Sequence, residues 1–254
     1  MDALDQRFLD AVQHYWEARA RQKGKQEVGG RIDAGTRGAV TGGTQMGALE
    51  VLVVDLLEEA GLKRLDIRFK PRDRARRIRG KTEARIGVEI PGYYRAEKEW
   101  DLLVVADGRL VTVVEFKSQV GPSFGNNLNN RVEEAVGSAS DLWTAFREER
   151  LGRFRPFLGY VFLLEDCAAV HRPVKVKQPY FPVDEAFQGA SYGRRYEVLC
   201  RRLVLERLYD AVCLALTPNA SPTRVSHPAD DLNFRQFAAK LQGHARAFAQ
   251  TAPN

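Results

Sequence analysis

Residues 100–118 read WDLLVVADGRLVTVVEFKS, two short apolar runs joined by Asp107-Gly108. Apolar runs separated by this dipeptide predict a β-hairpin, because both turn residues accept backbone conformations that most residues avoid. The second run is almost wholly apolar, so we expect its strand in the interior of a sheet. Glu115 and Lys117 follow directly. Charged side chains at the end of a buried strand need partners or a function.

The register of this hairpin decides whether Asp101, which opens the first run, can meet Glu115 and Lys117. Side chains alternate along a strand, so Glu115 and Lys117 share one face. A simple two-residue turn would pair Asp101 with Val114 and direct it away from that face. A three-residue or bulged turn would pair Asp101 with Val113 and restore the shared face. We therefore predict an irregularity in this hairpin.

Asp101, Glu115 and Lys117 are the residue types that a magnesium-dependent nuclease needs. Two carboxylates hold a hard divalent cation, and the carbonyl oxygen of Phe116 is a further candidate ligand. Magnesium stabilises the charge that develops when water attacks a phosphodiester, and Lys117 would orient or deprotonate that water. The structural alternative is that Glu115 and Lys117 form an ion pair on an exposed strand.

Composition excludes several other classes of protein. The chain has 254 residues, 44% of them hydrophobic and 28% charged, which is ordinary for a globular domain with a large core. Its apolar runs are shorter than the roughly 18 residues of a membrane span, and its acidic, amphipathic N-terminus is not a signal peptide pattern. Three scattered cysteines and four separated histidines predict neither a zinc site nor a disulfide framework, so a reducing cytoplasm is expected.

The positive charge of the chain is local. Residues 68–85 carry nine Lys or Arg and two acids, a net charge of +7, whereas the whole chain carries +6. One interpretation is a solvated, flexible loop. The other is an arm that binds DNA phosphates through Arg74, Arg76 and Arg77, and a basic arm that orders only on binding would satisfy both.

Periodicity predicts the remaining elements and an α/β fold in which helices flank a mixed β-sheet, with all 254 residues in one domain. The predicted elements are an amphipathic helix through Trp16, a glycine-rich loop at 24–47, a helix from about Met46 to Ala60, a strand at Leu65–Phe69, the hairpin at 101–117, a helix at 126–148 with an apolar stripe that includes Val132 and Val136, a buried strand at Leu158–Leu164, and helices at Arg194–Leu216 and Asp230–Ala249.

The segment GPSFGNNLNNR, residues 121–131, is unusually polar for a helix start. One asparagine suffices as an N-cap, and asparagine is a mediocre helix former. Asparagine can read adenine and arginine can read guanine in the major groove, while helix N-termini attract phosphates. The alternative is a polar capping loop. The candidates for DNA contact are Asn126, Asn127, Asn129, Asn130 and Arg131.

Two longer stretches carry a family resemblance. PGYYRAEKEWDLLVV, continued by VVEFKSQVGPSFGNNLNNRVEEAVGSASDL, and PYFPVDEAFQGASYGRRYEVLCRRL resemble the XhoI-type restriction endonucleases. The resemblance covers roughly residues 40–70 and 88–205. It implies a type II enzyme of the PD-(D/E)xK fold, acting with Mg²⁺ as a homodimer on double-stranded DNA, and the helices predicted at both ends of the chain would be additions to that fold. The implied target is CTCGAG, cut with 5′ overhangs, in a system whose cognate methyltransferase protects the host.

The resemblance also assigns roles to residues. It implies that Asp101, Glu115 and Lys117 are catalytic and that Asp101 and Glu115 bind the metal, with Glu50 as the candidate for an additional helix acid. A basic loop insertion is expected at residues 70–86, where the chain has sequence beyond the family pattern, and it leaves two alternatives open, recognition of the plain hexamer or of the hexamer with preferred flanking bases. Four further residues of the matching stretch are candidates for DNA contact: Tyr93, Arg95, Lys98 and Ser118.

Two other hypotheses remain open from the sequence. A structure-specific repair or junction nuclease on the same core would cut branched DNA without regard to sequence. A non-catalytic DNA-binding module on the same fold would bind CTCGAG without cleaving it, although such a module would have no reason to keep all three residues of the Asp101, Glu115 and Lys117 set.

Overall fold

The structure, a computed structural model, describes residues 2–28, 44–69, 87–177 and 180–251. Its α-helices are α1 (Ala3–Val28), α2 (Gly47–Glu59), α3 (Phe124–Arg147), α4 (Ala168–His171), α5 (Tyr192–Leu205) and α6 (Phe234–Thr251). Its strands are β1 (Ile67–Phe69), β2 (Glu89–Ile90), β3 (Lys98–Glu99), β4 (Leu102–Ala106), β5 (Arg109–Gln119), β6 (Phe157–Glu165) and β7 (Ala211–Thr217).

Five of the strands form one mixed sheet in the order β1-β4-β5-β6-β7. The pairs β1–β4 and β4–β5 are antiparallel, whereas β5–β6 and β6–β7 are parallel. Strands β2 and β3 form a separate two-stranded ribbon. The α/β class and the mixed sheet predicted from periodicity are confirmed.

Helices cover both faces of the sheet. On one face α1, α2 and α6 pack against Val114 and Phe116. On the other face α3 and α5 pack against Leu103 and Val113. Because strand side chains alternate, Glu115 and Lys117 belong to the same face as Val113, the face that α3 covers.

The β4–β5 hairpin contains the predicted irregularity, but inside the ladder rather than in the turn. Asp107 and Gly108 both have positive φ, 50° and 69°, and Ala106 pairs with Arg109 across a two-residue turn. The register then shifts, because Val105 pairs with Leu110 whereas Val104 pairs with Thr112. Val111 is therefore the extra residue of a β-bulge.

Beyond the bulge the register differs from the predicted one. Leu102 lies opposite Val114, so the next position outward brings Asp101 beside Glu115 rather than Val113. The shift is two residues, which preserves the face of every side chain. The predicted consequence, a shared face for Asp101 and Glu115, is thus obtained by a different register.

One predicted helix is wrong. The segment expected as a helix at Arg194–Leu216 is α5, which ends at Leu205, followed by the buried strand β7. Residues 211–217 read AVCLALT, and a short apolar run cannot be assigned to helix or strand by periodicity alone. A parallel strand that is buried on both faces loses the alternation that identifies exposed strands.

Other expected boundaries and faces differ more modestly. Helix α3 begins at Phe124 rather than residue 126, and its expected apolar stripe is incomplete because Val132 and Val136 are each 38% exposed. Helix α1 extends to Val28, into the expected glycine-rich loop, and residues 29–43 lie outside the described residues. The basic segment 70–86 also lies outside them. None of the helices in the described ranges has the length and apolar character needed to cross a membrane.

Candidate active site

The hairpin brings two buried carboxylates to one end of β5. Asp101 directly precedes β4, and its Oδ2 accepts a hydrogen bond of 2.8 Å from the backbone N–H of Phe116. Asp101 is 2% exposed and Glu115 is 6% exposed. Burying two carboxylates so close together is costly unless cations compensate them.

Two lysines supply that compensation. The Lys117 ammonium donates a hydrogen bond to Glu115 Oε1, and the Lys98 Nζ lies 3.4 Å from Glu115 Oε2. Lys98 also lies over the Trp100 ring, with its Nζ 4.0 Å from the ring centroid, in cation–π contact. The Glu115 carboxylate therefore lies between two ammonium groups.

The two lysines differ in how firmly they hold their protons. Burial lowers the pKa of Lys98, and it outweighs the opposing effect of Glu115. Burial also acts to lower the pKa of Lys117, but the adjacent charges of Glu115 and Asp101 overcome it and raise that pKa above its ordinary value. Lys117 is therefore firmly cationic at neutral pH, because a nearby negative charge stabilises the ammonium.

Glu115, Lys98 and Lys117 line a solvent-open pocket between β3, β5 and α3, and Asp101 is buried behind them. Among the lining residues there are five carboxylates and three cationic side chains, a formal net charge of −2, so the pocket favours a cation. The lining residues are Tyr94, Arg95, Lys98, Glu99, Glu115, Lys117, Glu133, Glu134, Gly137, Ser138 and Asp141. Within the described part of the chain, no three His, Cys, Asp or Glu side chains form a ready-made metal centre.

Comparisons with known proteins agree on one family. A family model described as Restriction endonuclease XhoI matches residues 25–227. Type II restriction enzyme BstVI from Geobacillus stearothermophilus is 43% identical over 220 residues, which are 84% of this chain and 92% of the relative. The chain belongs to the XhoI family of restriction endonucleases.

Two further relatives in the XhoI family have similar identity. Type II restriction enzyme XhoI from Xanthomonas vasicola is 42% identical over 196 residues, 77% of this chain and 73% of the relative. Type II restriction enzyme AbrI from Azospirillum brasilense is 40% identical over 191 residues, 74% of this chain and 79% of the relative. No solved structure matches the chain significantly.

Membership of the XhoI family establishes the class of reaction. The protein is a type II restriction endonuclease, a hydrolase of a restriction system that cleaves phosphodiester bonds of DNA at specific sites. The fold is the restriction-endonuclease-like fold, with its mixed sheet between helical layers. The match to the XhoI family model includes every residue that lines the pocket.

Asp141 is a residue of this site that the sequence prediction missed. Its side chain, 5% exposed, lies in α3 and accepts hydrogen bonds of 2.8 Å from the backbone N–H groups of Tyr93 and Tyr94 and from the Arg95 Nε. Burial acts to raise the pKa of Asp141, but these donors lower it below the ordinary value of 3.8. The available signal was an acid at helical spacing among the apolar positions of α3, next to Leu142.

The asparagines predicted to contact DNA lie in the first two turns of α3. Asn126, Asn129 and Asn130 are exposed, whereas the Asn127 amide donates to the Ser123 carbonyl oxygen at 2.7 Å. Ser123 is the N-cap residue, so no asparagine occupies that position. The exposed amides are therefore not accounted for by capping, and their contact with DNA stays a prediction.

The structure separates the other predicted site residues into two groups. Tyr93, Arg95 and Lys98 belong to the segment beside the pocket, and Arg131 is paired with Glu134 on α3.

Ser118 and Glu50 belong to the second group, which lies on the other face of the sheet. Ser118 lies beside the Tyr15 hydroxyl of α1, and Glu50 is buried in α2. Neither lines the pocket, and metal binding by Glu50 stays a prediction. Arg74, Arg76 and Arg77 lie outside the described residues.

Proposed function

We propose that this enzyme cleaves both strands of DNA at the palindrome CTCGAG by magnesium-dependent hydrolysis, leaving 5′ overhangs. The target and the overhangs are those expected from the family resemblance. The observation that carries the chemistry is that Glu115 and Lys117, paired with each other, line a pocket open to solvent while a second buried carboxylate, Asp101, is bonded to the intervening Phe116 N–H.

The donor set fits a magnesium ion. Magnesium prefers oxygen ligands and keeps several waters, so two carboxylates and the Phe116 carbonyl oxygen are sufficient. Asp101 and Glu115 would hold the ion, and Glu50 is the proposed additional acid. When bound, the ion would stabilise charge on the phosphoryl oxygens and make the attacking water more acidic.

Lys117 provides the positive charge that the reaction needs beside the metal ligands. Its ammonium has three donors and uses one for Glu115, so it can also donate to the attacking water or to a phosphoryl oxygen. Positioned donors of this kind stabilise the negative charge that develops as water attacks phosphorus. We propose that Lys117 orients the water and offsets that charge.

The Asn-rich turns of α3 are the proposed base-reading element. Asn126, Asn130, Glu133 and Gly137 follow one another at helical spacing, and Glu133 and Gly137 line the pocket, so the pocket-lining face of α3 continues into these turns. Asparagine and arginine provide paired hydrogen bonds to adenine and guanine edges. We therefore propose that Asn126, Asn127, Asn129, Asn130 and Arg131 contact DNA beside the cleavage site, and that Arg74, Arg76 and Arg77 bind flanking phosphates.

The proposed target requires two copies of the chain. Each chain supplies one Asp101, Glu115 and Lys117 set, whereas double-strand cleavage breaks one bond in each strand. A two-fold symmetric dimer matches a palindrome and presents one set to each strand. We propose a homodimer that acts in the cytoplasm of a bacterial or archaeal cell, where a cognate methyltransferase protects the host sites.

The direct test uses a supercoiled plasmid with a single CTCGAG. With magnesium we expect a linear product, and sequencing of its ends should give 5′ overhangs within the site. With a chelator, or with Lys117→Ala, we expect the plasmid to stay intact. Lys240→Ala, which changes an exposed lysine on α6, is the matched control and should cleave normally.

Specificity is tested with the same plasmid carrying one altered base in the site. Cleavage of both plasmids at equal rates would reject CTCGAG as the target. Intact native plasmid with folded protein and magnesium would reject the proposed reaction as a whole. Preferential cutting of a branched substrate without the site would favour a structure-specific nuclease.

A further inference from the structure

The turn between β2 and β3 is fixed to α3 by a single buried carboxylate. Asp141 Oδ1 accepts hydrogen bonds from two successive backbone N–H groups, those of Tyr93 and Tyr94, while Oδ2 accepts from the Arg95 guanidinium. The Arg95 Nη2 also lies 3.4 Å from the Gly137 carbonyl oxygen, one helical turn before Asp141. The three donors therefore converge on the pocket-lining face of α3.

The backbone of the turn approaches Asp141 so closely that only glycine fits beside it. A Cβ atom on Gly92 would lie 2.7 Å from the Asp141 Cγ, closer than real Cβ contacts allow. The Gly92 N–H also donates to the Arg95 carbonyl oxygen at 3.1 Å, which closes the turn on itself. The contact therefore depends on a residue from each side, Gly92 in the turn and the buried Asp141 in α3.

The anchored turn presents side chains that nucleic acids bind. Tyr94 is 74% exposed and Tyr93 is 47% exposed, and their rings meet edge to face with centroids 4.8 Å apart. Tyr94 and Arg95 line the same pocket as Glu115 and Lys117. Large aromatic side chains held in solvent next to a guanidinium suit stacking on bases or sugars and contact with phosphate.

We propose that Asp141 is a positioning residue that fixes the Tyr93–Arg95 turn as one wall of the active site, where Tyr94 and Arg95 hold the DNA strand next to the scissile phosphate. The proposal rests on the proposed function, since it requires the pocket to receive DNA. Asp141 itself touches neither DNA nor metal in this scheme. It acts through the turn, so its removal should weaken DNA binding more than it slows the chemical step.

Two substitutions separate the contributions of the Asp141 carboxylate. Asp141→Asn keeps a carbonyl oxygen for the Tyr93 and Tyr94 N–H groups but loses the charge that pairs with Arg95. Asp141→Ala removes both contacts. For Asp141→Ala we expect an increase of about tenfold in the Kd for a CTCGAG duplex, with kcat changed less than threefold, and a smaller increase for Asp141→Asn. Binding is measured by fluorescence anisotropy with a chelator present, so that cleavage cannot occur.

Asp210→Asn is a chemically matched control. Asp210 accepts from the Arg155 guanidinium and from the Leu158 backbone N–H, yet it lies outside this pocket. We expect its substitution to leave the Kd and the KM for DNA unchanged. Equal losses of DNA binding for Asp141→Asn and Asp210→Asn would show a general stability effect and overturn the proposal.

A double substitution tests whether Asp141 acts through Arg95. If it does, Asp141→Asn combined with Arg95→Ala should bind DNA no more weakly than Arg95→Ala alone, whereas independent roles would add. Additive losses of DNA affinity in the double variant would overturn the proposal, and so would a native KM for Asp141→Asn. In either case normal cleavage by the native protein would leave the proposed function intact. Failure of the native protein to bind or cleave CTCGAG would instead reject the proposed function. Because Asp141→Asn keeps the backbone contacts, the test stands even if Asp141→Ala does not fold.

Discussion

At the scale of single residues, Lys98 is the least expected member of the site. It was predicted from the family resemblance to contact DNA, yet its ammonium lies 3.4 Å from Glu115 and 4.0 Å from the Trp100 ring centroid. Lys98 and Lys117 flank the Glu115 carboxylate, with Lys98 at Oε2 and Lys117 at Oε1. Lys98 therefore competes with any divalent cation that needs Glu115.

Replacing Lys98 with methionine should increase the affinity of the site for divalent cations. Methionine keeps the apolar stem over Trp100 and removes the charge that opposes the cation. We expect Mn²⁺ to bind Lys98→Met more tightly than the native protein, by a factor on the order of ten, when measured by calorimetry without DNA.

The control for this prediction is Lys240→Met, which removes an exposed lysine on α6 and should leave Mn²⁺ affinity unchanged. Equal Mn²⁺ affinity for Lys98→Met and the native protein would contradict the competition. The same calorimetry with Glu115→Gln should show a large loss of binding, since Glu115 is a proposed ligand.

At the scale of elements, the β-bulge in β5 has a hydrogen-bond partner on helix α6. The extra residue, Val111, has its carbonyl oxygen 3.0 Å from the His244 Nε2 of α6. A carbonyl oxygen can only accept, so Nε2 carries the proton and donates. His244 therefore satisfies a backbone group at the bulge that shifts the register and brings Asp101 beside Glu115.

Loss of this donor should destabilise the bulge. His244→Leu fills the space but leaves the Val111 carbonyl oxygen without a donor. We expect the free energy of unfolding, measured in urea, to fall by about 1–2 kcal/mol, and DNA cleavage to become slower. His244→Gln retains a hydrogen-bond donor and should preserve most of the stability and most of the cleavage rate. A native cleavage rate for His244→Leu would show that the bulge holds its register without His244.

The stability conferred by His244 should depend on pH. Burial lowers the pKa of His244 below the ordinary value of 6.5 and outweighs the hydrogen bond to Val111, which acts to raise it. A histidine whose pKa is lowered in the folded protein contributes its full stabilisation of the fold above pH 6.5. That contribution is lost as the pH falls below 6.5 and through the pKa of the folded state. Urea unfolding measured from pH 7.5 to 5 should thus show that the free energy of unfolding falls more steeply for the native protein than for His244→Gln.

At the scale of the whole molecule, the central prediction is that two chains act on one site. In the proposed dimer, mixed pairs of native and Lys117→Ala chains, prepared by co-expression with two different affinity tags, would contain one complete set of the proposed catalytic residues. We expect them to cut one strand of the CTCGAG plasmid and to accumulate nicked circles. Mixed dimers of native and Lys240→Ala chains should give linear product. Linear product from both preparations would contradict the homodimer model.

The sequence determined the class of the fold and supplied the residue types of the proposed site. The apolar runs around Asp107-Gly108 specify the hairpin, because a two-residue turn and strand alternation are local properties. Local alternation also fixes the shared face of Glu115 and Lys117. The requirement that Asp101 join them predicted an irregular hairpin, and the register shift at Val111 confirms it. By contrast, β7 was misassigned, because a strand buried on both faces has no local period that differs from a buried helix segment.

Only the tertiary structure decided which distant residues line the site or support the strand that carries it. Asp141 lies 48 residues from Tyr93 in the sequence, and His244 lies 133 residues from Val111. Pairings of this kind depend on how α3 and α6 pack against the sheet, and no local pattern encodes that packing. The position of the bulge likewise has a tertiary component, since the carbonyl it frees is satisfied by a helix at the other end of the chain. The residue types were therefore set locally, whereas their distances and partners were set by packing.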